Sequence, residues 1–142
     1  MSDQNFRNHA RYVPIWHLLV PLMLLALLGG SINFFRISPD EYKYPAALLI
    51  LVSVIFIIYY WYTRAFALRA QDRAIRAEER LRHHLLTGQP LDTKLRMTQI
   101  IALRFASDAE FPGLAKRAVA ENLGAKEIKQ SIQNWKADHN RV

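Results

Sequence analysis

The sequence predicts an all-α protein: a transmembrane hairpin of two spans, a long cytoplasmic helix extension and a small C-terminal helical domain. Three observations predict it. Of 142 residues, 51% are apolar and 22% charged. Residues 12–63 carry only Arg36, Asp40, Glu41 and Lys43 as charges, which cancel, whereas residues 64–142 carry 15 Lys/Arg against 9 Asp/Glu. Half the chain therefore offers water almost nothing, which excludes an ordinary water-soluble single domain. The absence of cysteine excludes thiol nucleophiles, disulfides and thiolate metal sites.

A cytoplasmic tail, 1–11, precedes the first span, 12–35, in which 24 residues without charge lie between Arg11 and Arg36. The second span, 44–63, has 20 between Lys43 and Arg64. At helical rise these cover about 36 and 30 Å, enough to cross a hydrocarbon core of about 30 Å. Backbone polar groups in lipid must be satisfied internally, so both are helices. The external loop 36–43 is short, which makes the pair antiparallel. Within it Ser38, Pro39 and Glu41 have the spacing of a capped helical turn.

Tyr12 and Trp16 fall level with Tyr59–Tyr62, and Phe34, Phe35, Tyr42 and Tyr44 form the opposite rim, as interfacial aromatics do. Ala26 and Gly30 face the depth of Ala46 and Ala47, small residues that allow close backbone approach. Arg7 and Arg11 before the first span, and six arginines from Arg64 to Arg82 after the second, outweigh Arg36 and Lys43 in the loop. Both termini are thus expected in the cytoplasm. A cleaved signal peptide fits the first span poorly, because the apolar stretch is too long, contains Pro14 and Pro21, and lacks a small-x-small triplet. His17 and Asn33 are the strongly polar residues within the spans. As a functional group, His17 would ligate a metal or pigment or relay protons; with no second histidine or carboxylate at its depth, an interfacial role is the better expectation.

No helix breaker occurs between Thr63 and Leu86, and Gly88 and Pro90 supply a stop. The second span is expected to continue from Pro45 to Leu86, with 64–88 as the cytoplasmic extension. On it Ala67, Ala70, Ala74, Ala77 and Leu81 make a narrow packing seam at three- and four-residue spacing. Arg69, Arg73, Arg76 and Arg80 make a basic stripe on another face, with Asp72–Arg76 and Glu78–Arg82 spaced for pairing. The stripe reads first as a solvated face and second as a polyanion site.

The domain 89–142 is small for an independent core and is expected to lean on the alanine seam. Thr98 caps a short helix; Ser107 and Glu110 have capping-box spacing before a helix ended by Gly124; a last helix covers about 126–137. The stretch Ala120-Glu-Asn-Leu-Gly124 has the look of a helix-turn-helix turn, but Ile128, Ile132 and Trp135 do not follow the pattern of a recognition helix.

No phosphate-cradling glycine loop, nucleophile elbow or paired carboxylate motif occurs. His83 and His84 diverge by about 100° on a helix, and Glu79 with His83 supplies only two ligands. The expectation is a non-enzyme without cofactor or metal.

Four blocks in order, Gln4–Tyr12, Gln71–Arg80, Ile101–Asp108 and Ile128–Asp138, resemble a family of bacterial two-span membrane proteins of unknown function. The resemblance covers nearly the whole chain and implies a bacterial inner-membrane protein; it transfers no catalytic or binding residue. Its polar blocks suggest that Trp135 and Asp138 pack back near Asn5, His9, Arg11, Asp72 and Arg76 and close the domain. The expected function is a scaffold or accessory subunit that contacts lipid and a membrane-protein partner or its own copies. Alternatives are a homo-oligomeric transport or channel element and a membrane-tethered nucleic-acid binder, the last disfavoured.

Overall fold

The computed structural model describes Asn5, Phe6 and residues 12–138; Arg7, His9, Arg11 and most of the expected tail lie outside them. Among the described residues the chain is all-helical, with one isolated bridge and no strand. A π-helical turn, Ile15–Leu19, leads into α1 (Val20–Ile37), followed by α2 (Asp40–Thr87), α3 (Met97–Leu103), α4 (Phe111–Ala120) and α5 (Ala125–Ser131). The chain divides into two compact units, one of Tyr12–Ala67 and one containing Leu68 onward.

In the first unit, both helices are long and apolar enough to cross a membrane. The connection is tighter than the eight-residue loop expected, because α1 runs to Ile37 and α2 starts at Asp40. Ser38 is extended (ψ 147°), as the residue before a proline must be. It therefore closes α1 rather than serving as a turn cap in a separate loop helix.

Among the less exposed positions are Trp16, Val20, Leu24, Leu28 and Ser31 on one helix, and Ala46, Ile50, Ser53, Ile57 and Tyr60 on the other. Both sets recur at three or four residues, the helical contact period. Ser31 and Ser53 meet at 3.3 Å, and Trp16 stacks on Tyr60 with ring centroids 4.7 Å apart, which fixes an antiparallel pair. Of the small residues expected at this contact, Ala46 is buried, while Ala26, Gly30 and Ala47 are exposed. The serines take their place: they are nearly as small, and each spends its hydroxyl on a carbonyl of its own helix, Leu27 and Leu49.

The π-helical turn has a local cause. Val20 N–H donates to the Ile15 carbonyl, a five-residue step. In that register the next donor, at Pro21, does not exist. The Trp16 carbonyl it would have served instead accepts from the Tyr60 hydroxyl at 2.8 Å.

In the second unit, α2 continues unbroken, as the sequence predicts, and stops where Gly88 adopts φ +70°, a conformation glycine reaches without strain. Leu91, Leu95, Ile100, Leu103, Phe105, Phe111, Leu114, Ala118 and Ile128 form the core with Ile75 of α2.

Several expected boundaries shift. Thr98 does not cap α3; the N-cap is Arg96, whose backbone N–H is taken by Gln99 Oε1 at 2.7 Å. Helix α4 is stopped by Asn122 in the left-handed region (φ 50°) rather than by Gly124, which is the N-cap of α5.

The Ser107–Glu110 capping box does not form, because Glu110 accepts from the backbone N–H groups of Gln133 and Asn134 and from the Asn134 side chain. That capture holds residues 133–134 outside a helix. Accordingly α5 ends at Ser131, not near 137, and Trp135 lies in an extended bridge to Ala106.

Candidate functional site

The second unit is organised around one face of α2. Ile75, Glu79 and His83 are buried and Arg82 is half-buried, spaced three or four apart. The alanine seam is not this face. Ala70, Ala74, Ala77 and Leu81 are exposed, Leu81 at 59%, and Ala67 is half-buried. The expectation that the C-terminal domain leans on the seam is therefore wrong. The docked face was hard to read because three of its four members are polar, and its central arginine is met by Asp108 and Ala106, both distant in sequence.

Arg82 is the centre of that arrangement. Its Nε and Nη2 reach Asp108 Oδ1 at 2.7 and 2.6 Å, and Nη1 donates to Glu79 Oε2 at 3.0 Å. Nη2 also donates to the Ala106 carbonyl at 2.7 Å, and the guanidinium lies over the Phe111 ring at 4.6 Å. The expected Glu78–Arg82 pair is replaced by Glu79–Arg82 and Asp108–Arg82. The expected Asp72–Arg76 pair is absent among the described residues, and Arg76 instead points a donor at Met97 Sδ.

Burial pushes the Glu79 carboxyl above the ordinary glutamate value, and the opposing charges of Arg82, Lys136 and Arg104 only partly offset it. Asp108, on the solvent side of the same guanidinium, is held below its ordinary value by the Arg82 hydrogen bond and charge.

Of the neighbours expected for Trp135 and Asp138, His9 and Arg11 lie outside the described residues. Trp135 stacks on the fully buried Phe105 at 4.8 Å, and Asp138 Oδ2 pairs with Arg104 Nη2 at 2.9 Å. Backbone bonds from Ser107 N–H to the Asn134 carbonyl and from Lys136 N–H to the Phe105 carbonyl fix the strand-like register. The sequence reading also missed Gln99, a buried amide that donates to the Leu123 carbonyl at 2.8 Å while holding Arg96 N–H. A glutamine three residues after an extended arginine carried the signal.

His83 Nδ1 bonds the Gln89 carbonyl at 2.9 Å, and its ring sits edge-on to Phe111. It thereby ties the end of α2 to the segment after it, while Glu79 is committed to Arg82. Among the described residues no group of three potential metal ligands occurs. His17 bonds its own turn at Val13 and stacks on Tyr12 at 4.9 Å; Asn33 is exposed. Arg69, Arg73, Arg76 and Arg80 are all exposed, and none enters an ion pair among the described residues.

The geometry thus defines a helical protein with a bare apolar hairpin and a domain braced by one arginine. The chain belongs to a family of unknown function, DUF6526, whose model matches residues 1–142. No curated protein and no solved structure matches it.

Proposed function

We propose that this chain is a non-enzymatic scaffold or accessory subunit of a bacterial inner-membrane complex. The α1–α2 hairpin is its anchor, both termini face the cytoplasm, and the seam of α2 receives a partner helix. The observation that carries the reading is the contrast in exposure. In the most apolar windows of the two long helices only 6% and 11% of residues are buried, so their side chains need an apolar surrounding that the chain does not supply.

The rest of the reading rests on the domain. Its buried polar groups Glu79, His83 and Gln99 and the half-buried Arg82 are occupied in bracing the fold, while Ala70, Ala74, Ala77 and Leu81 stay open on α2. A pore is less well supported, because Ser31 and Ser53 spend their hydroxyls on Leu27, Leu49 and each other. The four arginines that enter no ion pair among the described residues favour, as a second reading, a polyanion contact made by the membrane-tethered domain.

The test is to extract the tagged protein from its native membrane in mild detergent and weigh the particle by native mass spectrometry. Co-purifying membrane proteins, lost in an Ala74→Glu/Ala77→Glu variant, support the accessory role. A multiple of the 16.5 kDa chain that the same variant dissolves makes the partner a second copy. A particle unaffected by the variant overturns the seam, and release of the chain by alkaline carbonate overturns the membrane anchor. Salt-dependent retention on nucleic acid that is lost when the four arginines are neutralised favours the second reading.

A further inference from the structure

The hairpin unit contains a groove of about 390 Å³ whose wall is apolar and aromatic, formed between Pro21, Leu24 and Leu25 on one helix and the stretch Ile57–Tyr62 on the other, Tyr59 excepted. Its volume falls within the range of about 300–1,000 Å³ typical of ligand clefts. The Tyr60 hydroxyl is already committed to the Trp16 carbonyl, and the groove wall exposes only apolar surface. The groove therefore selects an apolar occupant.

Directly beyond it stands a cation. Ile57, Tyr60, Trp61 and Arg64 recur at i, i+3, i+4 and i+7, so they share one face of α2, and Arg64 lies about 5 Å past Trp61 along the axis. Arg64 is half-buried and enters no ion pair among the described residues. No carboxylate occurs in the sequence between Glu41 and Asp72. Its charge is thus unmet by its own helix for about 12 Å in the direction of Asp72.

We infer that the groove seats one acyl chain of an anionic phospholipid whose phosphate is held by Arg64. The assignment rests on the membrane reading above. An apolar slot ending in an aromatic rim, with an unmatched guanidinium one turn further on, has the polarity sequence of a phospholipid: tail, interface, phosphate. A guanidinium at this position forms fork-shaped, charge-assisted bonds to phosphate oxygens that a lysine ammonium does not reproduce in the same geometry.

The experiment is native mass spectrometry of the full chain in detergent, titrated with phosphatidylglycerol or with diacylglycerol bearing the same chains. The wild type should retain one phosphatidylglycerol at concentrations where diacylglycerol is retained about tenfold less, the worth of one charged hydrogen bond. Arg64→Gln should abolish the difference, Leu24→Trp should fill the slot and lower retention of both lipids, and Arg69→Gln should change neither. Equal retention by wild type and Arg64→Gln, or a ladder of several equivalent lipids, overturns the site. Alkaline carbonate extraction run in parallel separates the two failures. A chain that stays in the membrane but shows no Arg64 dependence loses the lipid site alone, whereas a chain released by carbonate loses the membrane reading with it.

Discussion

The two units of this chain bury opposite kinds of side chain. In residues 12–67 most large apolar residues are exposed, and the contact between the helices centres on Ser31, Ser53, Ala46 and the Trp16–Tyr60 pair, with Val20, Leu24, Leu28, Ile50 and Ile57 half-buried along it. From Leu68 onward the large apolar residues Leu103, Phe105, Phe111 and Ile128 are fully buried, and the charged residues Glu79 and Arg104 are buried with them. The comparison teaches that polarity alone does not locate an interior. In the hairpin small hydroxyls are cheap to bury because each satisfies itself on its own helix. In the domain a charge is buried where a counter-charge meets it, Arg82 of the same helix for Glu79 and Asp138 for Arg104.

The strongest way to break this comparison is to remove the counter-charge. Arg82→Ala removes the ion-pair partner of the buried Glu79 and strands the Ala106 carbonyl. The expected loss in the second unit is about 3–5 kcal/mol, seen as collapse of hydrogen-exchange protection in residues 97–131 with α1 protection unchanged. In a Glu79→Ala/Arg82→Ala double variant part of that loss should return. Equal protection in wild type and Arg82→Ala would mean that the guanidinium contributes nothing net.

Trp135→Ala comes next. The indole is half-buried and covers a fully buried Phe105, so the expected cost is about 2 kcal/mol, below that of a fully buried ring. Urea unfolding followed by circular dichroism, with Lys136→Ala as a control for the same segment, checks it. An unchanged midpoint would show that the bridge is held by the backbone and Glu110 alone.

In the hairpin the matching test is Tyr60→Phe. It keeps the stack on Trp16 but removes the one donor to a carbonyl that Pro21 cannot serve, at an expected cost of about 1–3 kcal/mol. Increased exchange at the start of α1, with the second unit undisturbed, is the expected readout.

These cases also show what the sequence made legible. The long second helix could be read because nothing between Thr63 and Leu86 interrupts it and Gly88 supplies the left-handed turn; both facts are local. The π-helical turn was not legible, since Pro21 explains a missing donor but not that Tyr60, 44 residues away, answers the carbonyl. The end of α5 was misplaced for the same reason: residues 132–137 have helical periodicity, and only the carboxylate of Glu110, on the approach to another helix, overrides it. The docking face of α2 was mistaken for the alanine seam because periodicity reports apolar residues. Glu79, Arg82 and His83 turn inward because Glu79 pairs with Arg82, Arg82 reaches Asp108 and Ala106, and His83 bonds the Gln89 carbonyl.

The finest test lies in two carboxylates that share one guanidinium and respond to pH with opposite sign. Glu79 binds its proton more tightly when folded, because burial outweighs Arg82. Its contribution therefore favours the fold while it is protonated, below its ordinary value of 4.5, and is lost as pH rises through its raised folded value. Asp108 binds its proton less tightly when folded, because Arg82 stabilises its charge. Its contribution is present above its ordinary value of 3.8 and is lost as pH falls through its lowered folded value. Asp108→Asn should flatten the acid limb of the stability curve, and Glu79→Gln should flatten the fall on the neutral side. Asp108 is 63% exposed, so added salt should shrink its effect by screening and leave that of Glu79, set by desolvation, nearly intact. Urea midpoints from neutral pH down through the carboxylate range, at low and high salt, measure all four slopes. If both variants flatten the same limb, the two carboxylates do not divide the guanidinium between an inner and an outer role.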